Sequence, residues 1–290
     1  MENLKLNKLK QKTHNFLKNR KILFSCISTH KGEEDFCAKL HLKLKDIYPN
    51  ILTIVIPRHI SRKDQIIDLF NNLNIKDSSY TNFEIKNIED FKDIISNNSS
   101  IIGLNVTIPY KESVMKLLDE IDEEAAEIGS VNVIKFQNKK LKGFNTDYLG
   151  FQKSLIEWLP DLNFSALVLG SGGSSNAVCY SLKKLKIPYK IVSRFSGVSK
   201  ISYDELLKNE DLINYKLIIN TTPLGMYPNI DSIPNLNFDQ LTSNHYVFDL
   251  VYNPEETKLL STSKSKGSKI KNGYDMLVNQ AELSWEIWNK

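Results

Sequence analysis

Short runs of apolar, often β-branched residues recur along the chain and alternate with stretches whose apolar positions fall at helical spacing. Residues 21–28 (KILFSCIS) make a strand-length run, and 33–47 places Phe36, Leu40, Leu44 and Ile47 on one helical face. The run 51–56 (ILTIVI) predicts a buried strand stopped by Pro57. Helices are predicted over 64–73 and 88–95, with strands over 81–85 and 101–108, the last stopped by Pro109. A helix over 112–127 and a strand pair, 130–136 and 140–144 around Asn138, follow. A second alternation starts with strand 165–169 running into glycines. It continues through helix 176–185 and strands 189–193, 217–220 and 246–250. Residues 261–271 read as a polar Ser/Lys loop, and an amphipathic helix covers 276–288. The pattern predicts an α/β protein of two domains, the first with a mainly parallel sheet, and the closing helix returning to that domain.

Composition narrows the function classes. The chain has 290 residues, with 38 Lys+Arg against 34 Asp+Glu, a net charge of +4. Only Arg20, Arg58, Arg62 and Arg194 are arginines, and no basic stripe with interleaved aromatics suggests a nucleic-acid groove. Cys26, Cys37 and Cys179 form no C-x-x-C pair, and the five His residues make no ligand spacing, so no metal site is expected. No apolar run approaches the roughly 20 residues of a membrane-spanning helix. A cytoplasmic protein, monomer or homodimer, acting on a small molecule is expected.

The string Gly170-Ser171-Gly172-Gly173-Ser174 lies directly after a buried strand and before a helix. Glycines there let the backbone approach a pyrophosphate, which the helix N-terminus then holds. The third small residue of the fingerprint is Ala177. The next strand ends at Ser193-Arg194, where an acidic residue would hold a ribose 2′-hydroxyl; Arg194 suits a 2′-phosphate instead, so the expected cofactor is NADP.

Around Lys111 the chain reads Asn105-Val-Thr107-Ile-Pro-Tyr-Lys111, and farther on come Ser130-Val-Asn132 and Asn145-Thr-Asp147. A carboxylate–ammonium pair beside a hydroxyl can steer a proton. The strings NVTIPYK, SVNVIK, GFNTD, GSGGSSNAV, VSR, NTTPLGMYP, FDLVYNPEETKLL and GYDMLVNQAELSWEIW stand in the order found in shikimate dehydrogenases, and the chain from about residue 76 resembles that family. The resemblance implies NADPH reduction of 3-dehydroshikimate to shikimate, a step of aromatic amino acid and chorismate biosynthesis. It implies Lys111 and Asp147 as the acid–base pair. Thr107, Asn132, Tyr252, Gln280 and Asn105 would contact substrate. Gly170, Ser171, Gly172, Gly173, Ser174, Ser193, Arg194, Leu250 and Gly273 would contact the cofactor.

Residues 2–74 depart from that family. ENLKL, CISTHKGEEDF and LTIVIPRHISR are similar to part of 3-deoxy-D-manno-octulosonic acid transferase. The serine loop that holds the substrate carboxylate in the dehydrogenases is replaced; Ser61 stands in the register of its first serine and Lys63 in that of its second. The expected division is an appended β-α segment at 1–50 and a substrate-binding domain at 51–148, completed by 276–290. A Rossmann-like NADP-binding domain takes 149–275. Two rival readings are a catalytically impaired chimeric NADP-binding remnant and a CMP-sugar glycosyltransferase.

Overall fold

The computed structural model describes residues 23–29, 38–43, 45, 52–57, 83, 85–98, 101–138, 140–209 and 211–289. The chain forms two compact units, Met1–Glu84 and Ile85–Lys290. In the first, strand β1 (Leu23–Thr29) pairs in parallel with β2 (Leu52–Pro57), Leu23 opposite Leu52 and Ile27 opposite Ile56. Parallel strands need a crossover, and a helical stretch over 38–43, with Ala38 and His41 buried, lies in the connection. The predicted helix at 64–73 lies outside the described residues, as does most of the predicted strand at 81–85.

The second unit holds two sheets. The four-stranded one comprises β3 (Gly103–Asn105), β4 (Glu120–Ile121), β5 (Val133–Gln137) and β6 (Lys140–Phe144), in the order β3-β5-β6-β4. Strand β5 runs antiparallel to both neighbours, while β4 and β6 are parallel. The hairpin reverses at Asn138, whose φ of 53° is one that Asn tolerates. Helices α1 (Asp90–Asn97) and α2 (Glu123–Ile128) accompany this sheet, whose core gathers Phe91, Val114, Ala125, Val131 and Ile134. The single helix predicted over 112–127 is instead a 3₁₀ turn at Ser113–Leu117, then β4, then α2. Pairing with β6 overrides the helical spacing there: Asp119 N–H donates to Leu141 O, and Asp122 N–H to Gly143 O.

The six-stranded sheet is parallel throughout. It comprises β7 (Ala166–Leu169), β8 (Tyr189–Ser193), β9 (Lys200–Ser202), β10 (Leu217–Asn220), β11 (Tyr246–Asp249) and β12 (Lys269–Lys271), in the order β12-β11-β10-β7-β8-β9. Its central strands are apolar on both faces, as a sheet covered on both sides requires. Val168, Leu217, Ile219 and Phe248 pack on one face with Phe151, Leu155 and Leu182. Leu167, Leu169, Ile218 and Val247 face the other way, against Leu206, Leu212, Leu259 and Leu260. The strand order reverses between β7 and β10, and such a switch point opens a crevice at the carboxyl ends of the strands.

Helices α3 (Asp147–Trp158), α4 (Gly173–Lys184), α5 (Tyr203–Asn209), α6 (Lys258–Ser265) and α7 (Tyr274–Asn289) complete the unit. The predicted polar loop at 261–271 is a correction: it folds as the second half of α6 and as β12. The Thr257 side chain caps α6 by accepting from Leu260 N–H, which the Ser/Lys composition concealed. Helix α7 packs along α3 and reaches the four-stranded sheet, where Trp288 Nε1 donates to Ile134 O at 3.0 Å. The closing helix thus returns to the first sheet of this unit. The expected domain boundary at 148/149 falls in the first turn of α3.

Candidate active site

Lys111 follows β3 and the proline turn; Asp147 opens α3. Their side chains meet, Lys111 Nζ lying 2.6 Å from Asp147 Oδ2, with only 13% and 7% of the two side chains exposed. The carboxylate sits in the first turn of a helix, where the backbone dipole favours negative charge. Its second oxygen is held too, because Asn132 Nδ2 donates to Asp147 Oδ1 at 2.9 Å. Asn132 itself is fixed from both ends. Its Nδ2 reaches Gln280 Oε1 at 3.3 Å, and its Oδ1 accepts from Thr146 N–H at 2.7 Å. Residues from the turn after β3, from the position just before β5, from α3 and from α7 therefore converge on one buried polar cluster that sequence spacing could not demonstrate.

Asn105 and Thr107 lie near by through the backbone, since Val106 N–H donates to Asn132 O at 2.8 Å. Their side chains are exposed, as is that of Tyr252 beyond β11 at 43%. Among the described residues none of the three is hydrogen-bonded into the cluster. Ser61, with Arg58, Arg62 and Lys63, lies outside the described residues.

The glycine turn follows β7 at the switch point, as expected from the sequence. Gly170 has φ +112°, and a Cβ there would lie 2.5 Å from Thr221 Oγ1, so a side chain is excluded twice over. Gly172, which precedes α4, is different: nothing lies within 4 Å of the position its Cβ would take. Open space above a glycine at a helix start is the cradle a pyrophosphate fills. Ser171 and Ser174 flank it, exposed and half-buried. Gly173 packs against the catalytic candidates, its missing Cβ 3.3 Å from Lys111 Cβ and 3.4 Å from Ser130 Cβ. Arg194 stands exposed at the end of β8, while Ser193 is buried and donates to Phe195 O at 2.6 Å. Leu250 and Gly273 meet through the backbone, where any Cβ on Gly273 would collide with the Leu250 carbonyl. The residues present thus fit a phosphate-bearing dinucleotide. Among the described residues, no group of three or more His, Cys, Asp or Glu could hold a metal ion, and no helix is long and apolar enough to cross a membrane.

Sequence reasoning missed several members. Ser130, fully buried, donates to Gly173 O at 3.2 Å and accepts from Asn145 Nδ2 at 3.0 Å, joining the segment before α3 to the glycine turn. Thr146 and Ser284 share a hydrogen bond at 3.2 Å behind Asn132. Asn220 and Asp249 face each other across β10 and β11. Each is a polar residue ending a wholly apolar strand run, and that signal was available in the sequence.

The family profile of the shikimate dehydrogenase substrate binding domain matches residues 65–134. The NADP(+) shikimate dehydrogenase of Methanococcus aeolicus is 38% identical over 224 residues, covering 72% of this chain and 80% of that one. This chain belongs to the shikimate dehydrogenase family. The Methanococcus maripaludis shikimate dehydrogenase is 40% identical over 240 residues, covering 76% of this chain and 85% of its own. Among solved structures, shikimate dehydrogenase 1 from Peptoclostridium difficile superimposes with a TM-score of 0.66 at 30% identity, covering 92% of this chain and 91% of that one. A shikimate dehydrogenase in complex with NADP+ gives 0.63 at 28% identity, over 92% and 90%. The structural match thus covers more of the chain than these sequence matches do.

Proposed function

We propose that this protein is an NADP-dependent shikimate dehydrogenase that reduces 3-dehydroshikimate to shikimate, with Lys111 and Asp147 as its acid–base pair. The observation that carries the reading is the Lys111–Asp147 pair held by Asn132 within packing distance of the glycine turn. Relatives named as NADP(+) shikimate dehydrogenases support the same reaction. When bound, the cofactor supplies a hydride. The protein supplies position and the proton. Lys111 Nζ gives its proton to the substrate oxygen as charge builds there, and Asp147 Oδ2 holds the ammonium and shares the proton with it. Asn132 fixes the carboxylate, Gln280 braces Asn132, and both offer amides to substrate hydroxyls, with Asn105, Thr107 and Tyr252 presenting further polar groups. Gly170 to Ser174 and the start of α4 receive the pyrophosphate, and Arg194 the 2′-phosphate.

In this reading the transferase-like opening ends before residue 65, where the dehydrogenase profile begins. Its Ser61 and Lys63 stand, in chain order, where the family's carboxylate-binding serines stand. NADPH oxidation with 3-dehydroshikimate tests the proposal directly. Turnover is expected, with Lys111→Ala losing about 10²- to 10⁴-fold in kcat while still binding NADPH. NADPH binding without any oxidation would leave the impaired remnant as the better account.

A further inference from the structure

Asp249 ends β11 fully buried, and the proposed mechanism does not use it. Three donors converge on its carboxylate. Asn220 Nδ2 and Val251 N–H donate to Oδ1 at 2.9 and 3.0 Å, and Thr257 Oγ1 donates to Oδ2 at 2.6 Å. The three donors belong to two segments. Asn220, oriented by this bond, accepts at its Oδ1 from Thr222 N–H at 3.0 Å and from Thr222 Oγ1 at 2.6 Å. The neighbouring Thr221 donates to Leu169 O at 2.6 Å and fills the space that a Cβ on Gly170 would need. One arm therefore ends on the glycine turn. The other, through Val251 and Thr257, fixes both ends of the loop that carries Tyr252.

We infer that the ionised Asp249 carboxylate is a positioning residue that holds the glycine turn and the Tyr252 loop in register for the reaction. The inference rests on the function proposed above. All three partners donate, so the group is suited to its charged form; a proton on it turns one acceptor into a donor and forces Thr257 or Asn220 to reorient. Burial pushes its pKa up to about 6, and no charged side chain contributes to the shift. The ionisable groups of adjoining elements stand apart. Glu255, Glu256 and Lys258 are exposed, Lys271 pairs with the exposed Asp275, and partial desolvation raises the pKa of the 43% exposed Tyr252 phenol above its ordinary value, so it stays neutral here.

The test compares Asp249→Asn with the unaltered protein, because an amide keeps the shape and imitates the protonated acid. Both kcat/KM and NADPH affinity are measured from pH 5 to 8. The 2′-phosphate of NADPH titrates in this range and acts alike on both proteins, so the ratio between them is the readout. About a three- to tenfold deficit of the variant is expected at pH 7.5, shrinking to about onefold at pH 5. Thr257→Val, which removes the donor on Oδ2, should move the midpoint of the wild-type acid limb upward. A ratio that stays constant across pH, or equals one throughout, overturns the inference. NADPH binding that shows the expected ratio without 3-dehydroshikimate turnover would keep the inference and reject the substrate. Absence of NADPH binding in the unaltered protein would reject both.

Discussion

Asp147 owes its position to neighbours that carry no charge as much as to Lys111. Asn132 is 3% exposed and serves both Asp147 Oδ1 and the Thr146 amide, so Asn132→Ala strands two buried groups at once. Each buried group left unpaired costs about 1–3 kcal/mol. For the two groups together we expect Asn132→Ala to lose about 2–6 kcal/mol of unfolding free energy, read by urea denaturation, and at least about tenfold in kcat. Asp249 gives a pH prediction of definite sign. Its folded-state pKa of about 6 stands above the ordinary 3.8, so the folded state holds the proton more tightly than the unfolded chain does. Its contribution to stability is full below pH 3.8 and is lost as pH rises through 6, on the order of 3 kcal/mol. Asp249→Asn should therefore flatten that part of the stability curve, read by thermal unfolding at pH 5 and 8. Activity and stability then move in opposite directions with pH at this residue, which separates positioning from mere folding.

Helix α3 is the element that makes the site, and the sequence pattern did not announce it. Its inward face mixes Asp147, Gly150, Phe151, Ser154 and Leu155, all buried, so no clean apolar stripe marks it. The polar members are buried because α7 lies against them. Gly150 permits that approach: a Cβ there would lie 2.8 Å from Met276 O and 3.0 Å from Gln280 N. Gly150→Ala must push two helix backbones apart, and we expect a loss of about 1–3 kcal/mol on unfolding. Because Gln280 moves with α7, the KM for 3-dehydroshikimate should rise more than that for NADPH, which steady-state kinetics would show. The parallel strands, by contrast, were legible. Burial on both faces demands continuous apolar runs, and ALVL, LIIN and YVFD stand out for that reason. The broken helix after Pro109 was not, since hydrogen bonds to β6 outweighed a local helical spacing.

At the scale of the whole molecule, net charge is small, so selectivity for a phosphorylated cofactor must come from placed groups. Arg194, one of only four arginines, is exposed at the end of β8 beside the glycine turn's strand. NADPH at 100 times its Kd should stabilise the protein by about 2.7 kcal/mol. NADH at the same concentration should do much less, and Arg194→Ala should erase the difference, as thermal shift would record. The sequence by itself determined the strand–turn–helix of the glycine motif, the basic residue after β8, the paired strands about Asn138 and the family, because these depend on local runs and contiguous motifs. Only the tertiary structure decided that Lys111, Asn132, Asp147 and Gln280 share one cluster, since 169 positions from first to last are closed by packing of α7 on α3. It alone also decided that Asp249 is a buried hub, because an acid at a strand end acquires that role from what folds over it.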